Sequence, residues 1–123
     1  MTAARILVVD DDSVSRAILR EILEKEGLQV VEATNSDEGI QTYKAEPIDV
    51  VVTDLFMPEK GGLDVIGKVR EFDPDARLIV VSGIDLREKF DIFRLAEQLG
   101  AMSTLQKPVK PEVLIESVWA ALA

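Results

Sequence analysis

Two short stretches of this 123-residue chain end buried-strand patterns on carboxylates, and the chemistry starts there. Positions 49–58 read Asp-Val-Val-Val-Thr-Asp-Leu-Phe-Met-Pro. The valine run has the pattern of a strand covered on both faces of a parallel sheet, and it ends at Asp54. Arg5–Val9 is a second apolar run, ending at Asp10-Asp11-Asp12. A third, Leu78–Val81, ends at Ser82-Gly83, and a short strand-like segment, Met102–Leu105, leads to Lys107-Pro108. Singly, each polar residue is ordinary. Asp54 could cap a loop, Asp10–Asp12 could favour a helix N-terminus, Ser82 suits a turn and Lys107 a surface loop. Together they place a polar group just past four apolar runs.

That set of parts suits one chemistry. Three carboxylates crowded at one rim repel one another, so a cation is needed to keep them ionised. Oxygen ligands without histidine or cysteine select a hard ion, and a small site of two carboxylates plus waters suits Mg²⁺. Lys107 adds a fixed positive charge and Ser82 a hydroxyl for an anionic group carried on Asp54. Nucleophile, metal, positive clamp and hydroxyl donor are what phosphoryl transfer to a carboxylate requires.

The elements that must position these groups follow from periodicity. Apolar residues at helical spacing (Val14, Ile18, Ile22 and Leu19, Leu23) mark a helix over about 13–26, with Asp12 or Ser13 as N-cap and Gly27 as stop. Leu28–Ala33 reads as a less apolar strand nearer an edge. Asn35 with Glu38 resembles a capping box opening a helix to about Ala45, before Pro47. Past Pro58 and the turn-rich Glu59-Lys60-Gly61-Gly62, Leu63, Ile66 and Val69 mark a helix ending near Phe72. A helix of weaker pattern spans roughly Arg87–Leu99, closed by Gly100, and Pro111 opens a last one through Leu122. Five strands alternating with five helices predict an α/β fold: a single doubly wound, five-stranded parallel sheet with helices on both faces and right-handed crossovers. Every strand-to-helix junction then opens on one rim, where such sheets hold their ligands.

Composition narrows the function. Hydrophobic content of 47% and charged content of 30% are those of a globular chain, and residues 1–123 are expected to form one domain. A net charge of -9 argues against a nucleic-acid surface. With no histidine and no cysteine, Ser-His and Cys-His catalysis and thiolate metal sites are excluded. The start is too short and polar for a secretory leader and no apolar run approaches bilayer length, so a cytoplasmic location without membrane contact is the default.

Over essentially its full length the chain resembles the receiver domains of two-component response regulators, of the chemotaxis-regulator type with flavodoxin-like topology. Leu7-Val8-Val9-Asp10-Asp11-Asp12, Thr53-Asp54-Leu55-Phe56-Met57-Pro58, Val81-Ser82-Gly83 and Lys107-Pro108 carry the resemblance. It implies that Asp54 accepts a phosphoryl group from the phosphohistidine of a histidine kinase or phosphotransfer protein. It implies Mg²⁺ held directly by Asp11, Asp54 and the main-chain carbonyl of Phe56, with Asp10 acting through water. Ser82 would hydrogen-bond the phosphoryl group, Lys107 would neutralise it, and the Lys107-Pro108 bond would be cis. The Arg87–Leu99 helix and the last helix, with Trp119 partly exposed, would form the face that meets a downstream protein. The chain is expected to be either a single-domain regulator that works by protein contact or the receiver cut from a longer protein.

Several positions depart from the family pattern. Thr104 stands where receivers often carry a switching Tyr or Phe. Gly61-Gly62 replaces a frequent Asp-Gly, a lost charge expected to loosen the loop. Phe56 and Ile84, two residues beyond Asp54 and Ser82, are apolar where polar groups could hold an attacking water, so slow unaided loss of phosphate is expected. Competing readings are a haloacid-dehalogenase-like phosphatase, which would need an Asp where Phe56 stands, and a flavodoxin-like nucleotide or flavin binder, whose phosphate the three aspartates would repel. A third is a pseudo-receiver scaffold that never takes phosphate.

Overall fold

The computed structural model describes residues 3–58, 60–84 and 90–123. Among them, strands β1 (Arg5–Val9), β2 (Gln29–Ala33), β3 (Val50–Asp54), β4 (Leu78–Ser82) and β5 (Ala101–Gln106) alternate with helices α1 (Ser13–Lys25), α2 (Ser36–Ala45), α3 (Gly62–Phe72), α4 (Phe90–Leu99) and α5 (Pro111–Leu122). The strands form one parallel sheet in the order β2-β1-β3-β4-β5. This is the expected doubly wound arrangement, with β2 at the edge. The direction of winding reverses between β1 and β3, which opens a crevice at their carboxyl ends.

Alternation along the strands divides the core in two. Leu7, Val9, Val51, Leu78 and Val80 pack with Ile40, Tyr43, Val65, Ile66, Val69, Phe93 and Ala96, the buried faces of α2, α3 and α4. Ile6, Val8, Val50, Val52, Ile79 and Val81 pack on the other side with Leu19, Leu23, Leu114 and Val118 of α1 and α5. The three central strands are covered on both faces, which is why they read as unbroken apolar runs.

Local signals set the helix ends. Asp12, rather than Ser13, is the N-cap of α1, its carboxylate accepting from the Val14 and Ser15 amides. Asn35 Oδ1 accepts from the Glu38 amide at 2.8 Å to open α2. Gly27 leaves α1 with φ of +81°, a conformation that favours glycine.

The structure corrects two expectations and explains a third. Of the two apolar stripes on α1, only Leu19 and Leu23 are buried; Val14 and Ile18 are 66% and 50% exposed. Both stripes satisfy the 3.6-residue period, and the helix can turn only one fully onto the sheet. β5 spans Ala101–Gln106, longer than expected, because its ladder with β4 runs on to Ser82↔Gln106. On α4, Phe93 and Ala96 are buried while Phe90, Leu95 and Leu99 face solvent, so large apolar groups on both sides blurred its pattern. Residues 87–89 of the expected helix lie outside the described residues.

One tether fixes the far end of α4. Arg70, late in α3, donates from Nη2 to the Gly100 carbonyl at 3.0 Å and from Nη1 to that of Pro74. Gly100 follows α4 with φ of +124°, and a Cβ there would run into the Arg70 guanidinium. Among the described residues no helix is long and apolar enough to cross a membrane.

Candidate functional site

Sheet register brings the acidic groups together. β1 and β3 pair from Ile6↔Val50 to Val9↔Thr53, so the next residues, Asp10 and Asp54, end neighbouring strands side by side. Carboxylate oxygens of Asp10, Asp11 and Asp54 lie within 4.8 Å of one another. Asp10 is fully buried, Asp54 is 8% exposed and Asp11 faces solvent.

The fifth strand supplies the cation. Lys107 follows β5, and its amide donates to the Ser82 carbonyl at 2.7 Å. Its Nζ then reaches Asp10 Oδ2 at 3.0 Å and Asp54 Oδ2 at 3.2 Å. The Lys107-Pro108 bond is cis, as the resemblance implied.

Burial, and then the nearby Asp10 charge, push the Asp54 carboxyl above the usual carboxylate range, against the opposing pull of Lys107. For Lys107 burial works to lower the pKa, but the hydrogen bond and charge of Asp10 and the charge of Asp54 outweigh it and raise the ammonium. The lysine charge thus favours the ionised Asp54, and the two carboxylates favour the ammonium, each against the cost of burial.

The remaining oxygens are nearly all engaged. Asp10 Oδ1 accepts from the Asp12 amide at 2.9 Å, and Asp54 Oδ1 from the Phe56 amide at 3.3 Å. Asp11 is the carboxylate of the three that stands open to water. Three oxygen donors, one exposed and two fixed, fit a hard divalent cation.

Ser82 is buried at the end of β4, one place beyond the Asp54↔Val81 pair. Its Oγ accepts from the Ile84 amide at 3.1 Å, which leaves the hydroxyl proton free to be donated. Phe56 is half-buried, and its ring meets Phe93 of α4 edge-on at 6.4 Å.

At its two glycines the β3–α3 connection lies close against the backbone that ends β3. A Cβ on Gly61 would stand 2.5 Å from the Leu55 carbonyl oxygen, and one on Gly62 the same 2.5 Å from that of Asp54. The Gly62 amide also donates to Leu55 O at 2.8 Å. The backbone can lie this close to the site because neither residue has a side chain.

Sequence reading brought Asp10, Asp11, Asp54, Ser82 and Lys107 to one rim, and the structure places them there. It missed Arg16, whose Nη1 donates to the Asp10 carbonyl at 2.8 Å. A cation within about one turn of a helix N-terminus runs against the helix dipole, and that was the available signal.

Comparison with known proteins agrees with this geometry. The family model described as response regulator receiver domain matches residues 6–119. The chain is 35% identical over 115 residues to chemotaxis protein CheY of Thermotoga maritima, covering 93% of each chain. A CheY-like receiver domain protein from Methanospirillum hungatei superposes with a TM-score of 0.90 at 28% identity, covering 98% of this chain and 94% of that one. A response regulator from Burkholderia pseudomallei, solved with a phosphorylated aspartic acid, a calcium ion and citrate, matches with a TM-score of 0.81 at 32% identity, covering 98% of this chain and 66% of that one.

Proposed function

Because the chain belongs to the response regulator receiver family of two-component signalling, we propose that residues 1–123 act as one phosphoacceptor domain and that Asp54 is the residue phosphorylated. The observation that carries this assignment is the Lys107 ammonium on Asp54 Oδ2, in a pocket shared with Asp10 and Asp11. The donor is a histidine kinase or phosphotransfer protein. A carboxylate oxygen of Asp54 bonds to phosphorus as the phosphorus–nitrogen bond of phosphohistidine breaks and the imidazole leaves with the electron pair. Asp11, Asp54 and the Phe56 carbonyl would hold Mg²⁺, with Asp10 acting through water; when bound, the ion supplies positive charge against the carboxylates and phosphoryl oxygens.

The chain's own groups do the rest. Lys107 sits beside both carboxylates and neutralises the charge that arrives with the phosphoryl group. Ser82 turns its free hydroxyl proton to a phosphoryl oxygen, which draws the Ser82–Ile84 turn inward. Phe56, two residues from Asp54, packs on Phe93 and so gives the site a second mechanical link to α4. Downstream contact then falls on α4 and α5, where Phe90 is 61% and Trp119 46% exposed.

This is a signalling phosphoacceptor rather than a turnover enzyme. A phosphatase with an aspartyl nucleophile would need an acid or base where the Phe56 ring packs on α4.

Incubation with Mg²⁺ and acetyl phosphate, read by intact mass, tests the assignment. One phosphoryl group should add to the wild type, none to Asp54→Asn, and none when the metal is chelated. An Asp54→Asn protein that still gains one phosphoryl group would overturn it.

A further inference from the structure

The geometry points to Arg16, held in place by Glu32, as a positioning residue that sets the Asp10–Asp11 peptide and thereby the affinity of the acidic pocket for Mg²⁺. The inference rests on the metal reading given above but concerns residues outside the pocket. Asp10 is the first residue past β1. Its amide still belongs to the sheet, donating to the Ala33 carbonyl at 3.1 Å, but its own carbonyl has left the ladder. An unpaired carbonyl there is costly, and Arg16 satisfies it from outside.

Spacing explains how. Arg16 lies one turn inside α1, where side chains lean back toward the N-terminus. The guanidinium reaches past the Asp12 cap, and Nη1 meets the Asp10 carbonyl at 2.8 Å. Nε simultaneously donates to Glu32 Oε1 at 2.9 Å. Glu32 is paired with Val8 in the β1–β2 register, on the face that α1 covers, and Arg20 binds its other oxygen. The planar fork of an arginine allows one side chain to grip a carbonyl and a carboxylate at fixed angles.

Fixing the Asp10 carbonyl fixes the plane of the peptide that leads into Asp11. Asp11 is the exposed carboxylate of the three, so this peptide is what aims it. A guanidinium beside an acidic pocket would by itself oppose a divalent cation. The Glu32 carboxylate cancels that charge, and hydrogen bonding from Arg20 lowers its pKa and keeps it ionised.

Positioning and plain charge therefore predict opposite signs. Removing a nearby positive charge should tighten Mg²⁺ binding if charge is all that Arg16 contributes. Removing the grip on Asp10 should weaken it, by about tenfold on the scale of outer-shell partners at metal sites.

The test is Mg²⁺ titration of the full, unphosphorylated chain by calorimetry, with Mn²⁺ binding by electron paramagnetic resonance as a second reading. Arg16→Met should bind about tenfold more weakly than wild type, with Arg16→Lys between the two. If Arg16→Met does not fold, the order wild type, Arg16→Lys, Arg16→Gln from tightest to weakest carries the same content. Unchanged or tighter binding in a folded Arg16→Met, or a flat or inverted order in the series, overturns the inference and leaves the metal site intact. A wild type that binds no Mg²⁺, with Asp11→Asn indistinguishable from it, overturns the metal reading and the inference with it.

Discussion

Replacing Lys107 by Met should destabilise the metal-free protein by about 3 kcal/mol, and Mg²⁺ should restore a large part of that loss. Lys107 Nζ stands 3.0 Å from Asp10 and 3.2 Å from Asp54. At an effective dielectric of about 20 each contact is worth roughly 5 kcal/mol of gross Coulomb energy. Desolvation of all three groups offsets most of that, so the gross figure is not what a mutation reads. The mutation reads the loss of a partner from two buried carboxylates, about 3–5 kcal/mol. Lys107 keeps 22% of its side chain exposed, which favours the lower end.

Against a typical total of about 5–15 kcal/mol the variant should still fold, with a midpoint lower by roughly 10 °C. Thermal and urea unfolding with and without Mg²⁺ measure it. The ion should raise the variant's stability more than the wild type's, because it becomes the pocket's remaining compensation. The gap should also close in acid. Asp54 has a raised folded pKa, so its ionised form burdens the fold as pH rises through that value and is relieved as pH falls below the ordinary carboxylate range. Equal stability of the two proteins in chelator, or an equal Mg²⁺ increment, would refute the reasoning.

The other outcomes are simpler to state. Phe56→Asn, which puts a polar group two residues beyond Asp54, should shorten the lifetime of the Asp54 phosphate in Mg²⁺; a wild-type lifetime already as short as the variant's would contradict water exclusion by Phe56 and Ile84. Gly62→Ala drives a methyl into the Asp54 carbonyl, 2.5 Å away, and should destabilise by roughly 1–3 kcal/mol, with slower phosphorylation by acetyl phosphate. Tyr43→Phe removes the 2.6 Å hydrogen bond to Asp73 and should destabilise by about 1 kcal/mol near neutral pH in urea unfolding. Burial and that hydrogen bond raise the Tyr43 pKa, so wild-type stability should fall as pH rises past the ordinary tyrosine value of about 10, a loss the variant lacks.

Much of this site could be read from the chain because parallel α/β sheets convert sequence order into spatial position. A polar residue just after an apolar run must lie on the rim, whichever strand it follows. Asp10, Asp54, Ser82 and Lys107 could thus be grouped without a single known contact. What stayed hidden depends on which way an element faces. The period of α1 fits both Val14–Ile18 and Leu19–Leu23, and tertiary packing chooses between them. Arg16 reads as an ordinary surface residue because its partners, Asp10 O and Glu32, meet it only once β2 has paired with β1. The closeness of Gly61 and Gly62 to the Asp54 and Leu55 carbonyls is likewise a distance between backbones, which composition does not encode.

The bond between Arg70 and Gly100 fixes the C-terminal end of α4. That end is tied through Arg70 to the end of α3 and to the turn before β4. A swing of about 10° in a ten-residue helix, about 15 Å long, would carry the Phe90 end roughly 2.5 Å and leave Gly100 where it is. The aromatic ring farthest from the fixed end therefore sweeps the widest arc, and a partner reading this helix gains most by touching it there.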